Sequence, residues 1–152
     1  MTRVKTIICV FIFLLSSCEK GDINKETSII PNNEAQVVEI VNSERAKLGI
    51  APLEIDGSLM KSCEIRAKEI VTKFSHERPN GESCFTVIET KYGYAGENIA
   101  YGQKNAEEVM IGWMKSEGHR NNIISDNYTH IGVGCYEENN RFYWVQLFIQ
   151  KK

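Results

Sequence analysis

The run from Arg141 to Gln150, RFYWVQLFIQ, has the alternation of a β-strand but is apolar on both of its faces. Successive side chains of a strand point to opposite sides of the sheet, so Tyr143, Val145, Leu147 and Ile149 share one side and Phe142, Trp144 and Phe148 the other. A strand with no polar face cannot belong to a sheet that is wet on one side, so layers must cover both. The preceding THIGVGCYE, residues 129–137, has the same period, and Glu138, Asn139 and Asn140 between the two runs form a hairpin turn. Trp113, Trp144 and Phe148 stand at core spacing and read as packing, and His130 reads as a residue at the strand's edge.

The covering layers are legible upstream. Val37, Ile40, Val41 and Leu48 form a helical stripe, with Gly49 as its stop, predicting a helix over 34–48. Asp56 is placed to cap a second helix whose stripe is Leu59, Cys63, Ala67, Ile70, Val71 and Phe74. Residues 82–92 read as a third, shorter helix closed by Gly93. Asn105 followed by Glu108 resembles a capping box; the helix it starts buries Val109, Met110, Trp113 and Met114 and ends at Gly118. Helices preceding the strands, and enough of them for two covers, predict an α/β protein: a three-layer α/β/α sandwich around a mainly antiparallel central sheet.

The N-terminal end carries a different message. Arg3 and Lys5 precede nine apolar residues, Ile7–Leu15, too few for a bilayer span of ~20 residues but suited to a signal peptide. The run ends Leu15-Ser16-Ser17-Cys18, which resembles a bacterial lipobox and makes Cys18 the expected lipid attachment site. Residues 1–17 are then the lipoprotein signal peptide, 18–33 the anchor cysteine and a polar tether with a reach of roughly 20 Å, and 34–152 one domain. Removing Arg3 and Lys5 lowers the basic count from 18 to 16 against 20 acidic residues, which argues against nucleic acid as a partner. The expected location is extracytoplasmic, at the bacterial cell envelope, with the membrane as a partner through the anchor. Beyond Cys18 the chain keeps Cys63, Cys84 and Cys135. Cys63 falls on an apolar stripe and reads as a small buried hydrophobe, which leaves Cys84 and Cys135 as the candidate disulfide, although spacing does not determine connectivity.

Polar residues beside turn-forming glycines mark the candidate site: FSHERPNG at 74–81, GENIAYG at 96–102 and WMKSEGHR at 113–120. Taken with THIGVGCY and YWVQLF, these motifs occur in the order found in the CAP superfamily of cysteine-rich secretory proteins, antigen 5 and pathogenesis-related proteins (the SCP domain). The chain resembles its bacterial branch over residues 34–150. The resemblance implies the same three-layer fold and a central cleft ringed by two histidines and two acids, which in some members holds a divalent metal. His76, Glu97 and His119 match three of those positions; the second acid's place is taken by Ser116, and Glu117 lies one residue, about 100° of helix, further on.

His76, His119 and Glu97 are therefore the candidate metal ligands, with a divalent cation such as zinc as the candidate cofactor. Imidazoles suit transition metals, and a carboxylate can ligate or orient a ligating imidazole. A site with only two histidines keeps open positions for water or a ligand. Ser116, His119 and Glu97 also have the membership of a nucleophile, a base and an orienting acid, though no GxSxG elbow is present. The plain structural alternative has both histidines satisfying loop carbonyls and Glu97 accepting backbone N–H groups. Three classes stay open: a module binding a small-molecule or lipid ligand or a cation, an envelope hydrolase using metal or serine, and an interaction protein whose cleft is incidental. The resemblance is compatible with signalling, lipid or sterol binding and envelope roles, since fold alone does not decide function.

Overall fold

Asn32 starts the first helix by accepting the Ala35 N–H on its side-chain oxygen at 2.9 Å, and α1 runs Asn33–Lys47. It stops where Gly49, at φ 70°, turns the chain so that the Ile50 N–H reaches the Arg45 carbonyl. The computed structural model describes residues 32–152; the expected signal peptide, Cys18 and most of the expected tether lie outside the described residues. Asp56 caps α2, Gly57–Thr72, through the Leu59 N–H at 2.9 Å. Asn105 caps α3, Ala106–Lys115, through the Glu108 N–H, while the Glu108 carboxylate returns to the Lys104 N–H.

The strands β1 (Glu54–Ile55), β2 (Tyr92–Tyr101), β3 (His130–Glu138) and β4 (Arg141–Lys151) form one sheet in the order β1-β3-β4-β2. β2 and β3 both run antiparallel to β4, whereas the two residues of β1 pair parallel to β3, so the sheet is mixed rather than purely antiparallel. The β3–β4 hairpin closes through Asn139 at φ 51° and Asn140 at φ 58°, the left-handed pair a two-residue type I′ turn requires.

β4 lies at the centre of the molecule. Val145, Leu147 and Ile149 meet Leu59, Cys63, Ala67 and Ile70 of α2 on one side. Trp144 and Phe148 meet residues of α1, α3 and α4 (Glu117–Ile123), among them Val37, Val41, Val109, Trp113 and Ile123, on the other. All five β4 side chains are fully buried, and at about 2 kcal/mol each they outweigh any surface interaction in the chain. The α2 backbone lies directly on β3: a Cβ at Gly132 would come within 2.5 Å of the Leu59 carbonyl carbon, and one at Gly134 within 2.5 Å of that of Cys63.

Four expectations need correction. Residues 82–92 form no α-helix: only a 3-10 turn, Cys84–Val87, is present, and β2 already begins at Tyr92. The β-branched Thr86, Val87 and Ile88 disfavour a helix there, and the Ser62 hydroxyl takes the Val87 carbonyl at 2.9 Å. Gly118 does not end the α3 helix; the break falls at Ser116, with extended angles of −92° and 121°, and Gly118 lies inside α4. Phe74 is not core but 49% exposed, two residues beyond the end of α2. Finally, Cys84 and Cys135 form no disulfide, and all three described cysteines are free thiols. Cys135 packs on the α1 and α3 side of the sheet, while Cys84 lies beside Glu97, whose carboxylate points to the α2 side; the sheet separates them.

Candidate functional site

Glu97 sits in the middle of β2, opposite Leu147, so its side chain points into the layer between sheet and α2. Its carboxylate is 1% exposed. There it meets Arg66 of α2, a fully buried guanidinium whose Nε donates to Oε1 at 2.8 Å. The same guanidinium binds Glu69 at 2.8 Å and the Ser75 carbonyl at 2.8 Å. Arg78 adds a second bond to Glu69 at 2.6 Å, so the loop after α2 is clipped to the helix at two points.

This loop presents His76. Arg78-Pro79-Asn80-Gly81 bends back with the Gly81 N–H on the Arg78 carbonyl, and the Cys84 N–H bonds the His76 carbonyl at 3.1 Å. The imidazole Nδ1 stands 2.7 Å from Glu97 Oε2. An ionised carboxylate only accepts, so Nδ1 carries the proton and donates it, leaving Nε2 as the free nitrogen of a neutral ring. His76 is itself 58% exposed. A buried anion therefore orients an open imidazole.

The electrostatics follow the contacts. Burial would raise the Glu97 carboxyl, but hydrogen bonds from His76 and Arg66 outweigh it and hold the group below its ordinary value. The Glu97 bond raises His76 against a smaller opposing effect of burial. Cys84, in the same cluster, is pushed up to about 12 by burial and by the neighbouring Glu97 charge, so its thiol is protonated at neutral pH. One ligand atom each from His76, Cys84 and Glu97 lies within 4.8 Å of the others. Donors of a tetrahedral zinc ion, at about 2.0–2.3 Å from it, stand roughly 3.3–3.8 Å apart, so this N, S, O set must draw in to that spacing to share one ion.

His76, Ser83, Cys84, Phe85, Ala95, Gly96, Glu97 and Asn122 line a cleft of about 340 Å³. His119 occupies α4 nearby. Burial, then the His76 charge, lower its imidazole, and its carbonyl accepts Asn98 Nδ2 at 3.1 Å. It stands outside both the three-residue donor cluster and the cleft lining. Ser116 is the N-terminal cap position of α4, yet its side chain makes no capping bond. Among the described residues it has no hydrogen bond to His119 or Glu97, whose oxygens are occupied by Arg66 and His76, so the nucleophile, base and acid are not assembled. Glu117 is exposed, and Arg120 is solvated rather than paired with the cleft acid. His130 begins β3, beside Thr129 and Glu54.

Sequence reasoning missed Arg66, Cys84 and an amide network behind the site. Asn98, fully buried, donates to Gln146 Oε1 at 2.9 Å and accepts from Asn122 Nδ2 at 2.9 Å. Asn122 also bonds the Glu97 carbonyl at 3.3 Å. A Cβ on Gly96 would lie 2.6 Å from Tyr128 Oη and 3.0 Å from Asn122 Oδ1, which is why glycine precedes Glu97. A signal for Arg66 was available: a cation at i+3 from Cys63 and i−4 from Ile70, inside an apolar stripe, requires a buried partner.

The chain is similar to several bacterial proteins. YkwD of Bacillus subtilis is 46% identical over 123 residues, covering 78% of this chain and 47% of that protein. YlbC, a membrane protein of the same organism, is 32% identical over 142 residues, covering 84% of this chain and 37% of that protein. The chain thus spans less than half the length of these curated relatives. Among solved structures, an extracellular SCP-domain protein from Bacillus anthracis is 27% identical with a TM-score of 0.72, over 78% of this chain and 40% of that one. NaASP2, determined with Zn2+, shares the fold at 15% identity and a TM-score of 0.58, over 80% of this chain and 90% of that one. The model of the cysteine-rich secretory protein family, CAP, matches residues 38–148. With the α/β/α sandwich and that match together, the chain belongs to the cysteine-rich secretory protein (CAP) family.

Proposed function

We propose that this protein is a lipid-anchored, extracytoplasmic binding protein of the CAP family whose cleft takes a divalent cation or a small ligand at His76. The observation that carries this reading is the 2.7 Å bond between exposed His76 and buried Glu97. It fixes the ring's tautomer and leaves Nε2 available, the arrangement a carboxylate gives to a metal-ligating imidazole. Glu97 then acts as orienting partner, Cys84 lies in the same donor cluster, and His119 on α4 is the further candidate donor. A bound zinc ion would supply Lewis acidity to a coordinated water or carbonyl. Zinc in NaASP2, on the same fold, supports the choice of cation, and the extracellular Bacillus anthracis relative supports the location.

Calorimetric titration of the metal-free chain with zinc tests the site. The wild type is expected to bind and the His76→Ala, His119→Ala double variant to bind at least about tenfold more weakly. Equal, weak binding by both would leave the interaction module with an incidental cleft. The anchor has its own test: Cys18→Ala is expected to move the protein from the membrane fraction to the soluble one, and continued membrane partitioning would rule out acylation at that cysteine.

A further inference from the structure

The cleft floor is the outer edge of the sheet. β2 is an edge strand, bonded only to β4, and the Gly102 N–H on the Phe142 carbonyl sets its phase. Even-numbered residues from Gly96 to Gly102 turn their main-chain groups toward β4, and odd-numbered ones turn theirs outward. Two outward carbonyls confirm this phase, since Glu97 O accepts from Asn122 and Ile99 O from the Trp113 indole. These side chains occupy the edge at Glu97 and Ile99. Ahead of them, the register turns the N–H and C=O of Ala95 and the N–H of Glu97 away from β4, and among the described residues no loop, cap or side chain bonds to them. Ala95, Gly96 and Glu97 line the cleft at this point.

The outward groups of an edge strand are left to water or to a partner chain, and natural proteins normally block such edges. Here the edge is blocked at Glu97 O and Ile99 O, and the stretch ahead of these blocks, at Ala95 and Glu97, is the one that lines the His76 cleft. A donor and acceptor on one residue, followed two residues later by a donor, is the pattern that an added strand satisfies. We propose that the ligand of this cleft is a short extended peptide, whose main chain pairs with Ala95 and the Glu97 N–H along the outer edge of β2. At about 340 Å³ the cleft is at the small end of ligand sites and favours small side chains. Asn122 marks where the added strand stops, and His76 flanks its path. The inference rests on reading this cleft as a binding site, and not on the cation.

The test uses the full chain labelled with 15N, titrated with the N-acetylated amide of Ala-Ser-Ala-Ser-Ala and with its counterpart N-methylated at the three central residues. The first probe is expected to shift the Ala95 and Glu97 amide signals saturably. The second lacks the central N–H donors and sets methyl groups against the edge, and is expected to bind at least about tenfold more weakly. Ala95→Pro removes one outward N–H at a position where an edge strand tolerates proline, and is expected to weaken the unmethylated probe similarly while leaving the remaining amide spectrum folded. Absence of any saturable shift at Ala95 and Glu97, or equal binding of both probes, overturns the proposal. Zinc titration of the same samples separates the two readings: zinc binding without peptide pairing defeats the peptide alone, and peptide pairing without zinc binding sustains it while defeating the cation.

Discussion

Arg66, Glu97 and His76 illustrate how a single buried anion can serve stability and function together. Arg66 and Glu97 are almost wholly excluded from water, at 0% and 1% side-chain exposure, so removing either charge strands the other in a medium that solvates it poorly. Glu97→Gln is expected to destabilise the domain by about 3 kcal/mol, the low end of the range for broken buried pairs, because Glu69 still partners Arg66. Urea unfolding measures it, and a loss under about 1 kcal/mol would show that the pair is not an effective one. The same substitution should lower the His76 titration point followed by NMR, since its elevation comes first from the Glu97 bond. The sign is that of a cation gaining a partner: the stabilisation by His76 is full below the unfolded imidazole's pKa and disappears as pH rises through the higher folded one. His76, Glu97 and His119 could be named from the motifs that hold them. Their relation could not, because the 2.7 Å bond joins residues 21 positions apart and depends on where α2 places Arg66.

At the scale of elements, close approach of helix and strand matters as much as apolar pattern. α2 rests on β3 where Gly132 and Gly134 leave no side chain between the two backbones. Gly134→Ala is expected to cost about 2–3 kcal/mol through overpacking, read as a lowered urea midpoint, whereas an alanine at exposed Gly57, which meets nothing within 4 Å, should be nearly neutral or stabilising. Equal effects at both positions would mean that α2 can shift away at little cost. The cap residues Asp56 and Asn105, the Asn139-Asn140 turn and the two apolar faces of β4 were all readable locally, because each depends on contacts within a few residues or on the period of a strand. The 3-10 turn at Cys84–Val87 was not, since its α-helical alternative is defeated in part by a hydrogen bond from Ser62, on another element. The break at Ser116 was hidden for a similar reason: Asn98 and Asn122 hold α4 to β2 across more than 20 residues of sequence.

Across the whole molecule, ion pairs join remote parts of the chain. Lys151 near the C-terminus reaches Asp56 at 2.8 Å, across 95 residues, and that bond is the main reason the Asp56 carboxyl lies below its ordinary value. Burial would raise Glu69, but Arg78 and Arg66 hold it below as well. Carboxyls with depressed pKa values stabilise the fold above their unfolded values, near about 4, and this contribution is lost as pH falls through the lower folded ones. The domain should therefore weaken on acidification below about pH 4, and Asp56→Asn, which keeps a capping oxygen, should flatten part of that acid limb in urea titrations across pH. An acid limb identical to the wild type's would show that Lys151 does not hold Asp56 in solution. Sequence by itself determined the three-layer architecture, the hairpin and the family, because periodicity, turn chemistry and ordered motifs are properties of neighbouring residues. Only the tertiary structure decided that Cys84 and Cys135 stand on opposite sides of a sheet, that Glu97 is shared between Arg66 and His76, and that part of the edge strand β2 lines the cleft. Those outcomes depend on distances between segments far apart in the chain, set by how α2 and α4 pack on the sheet.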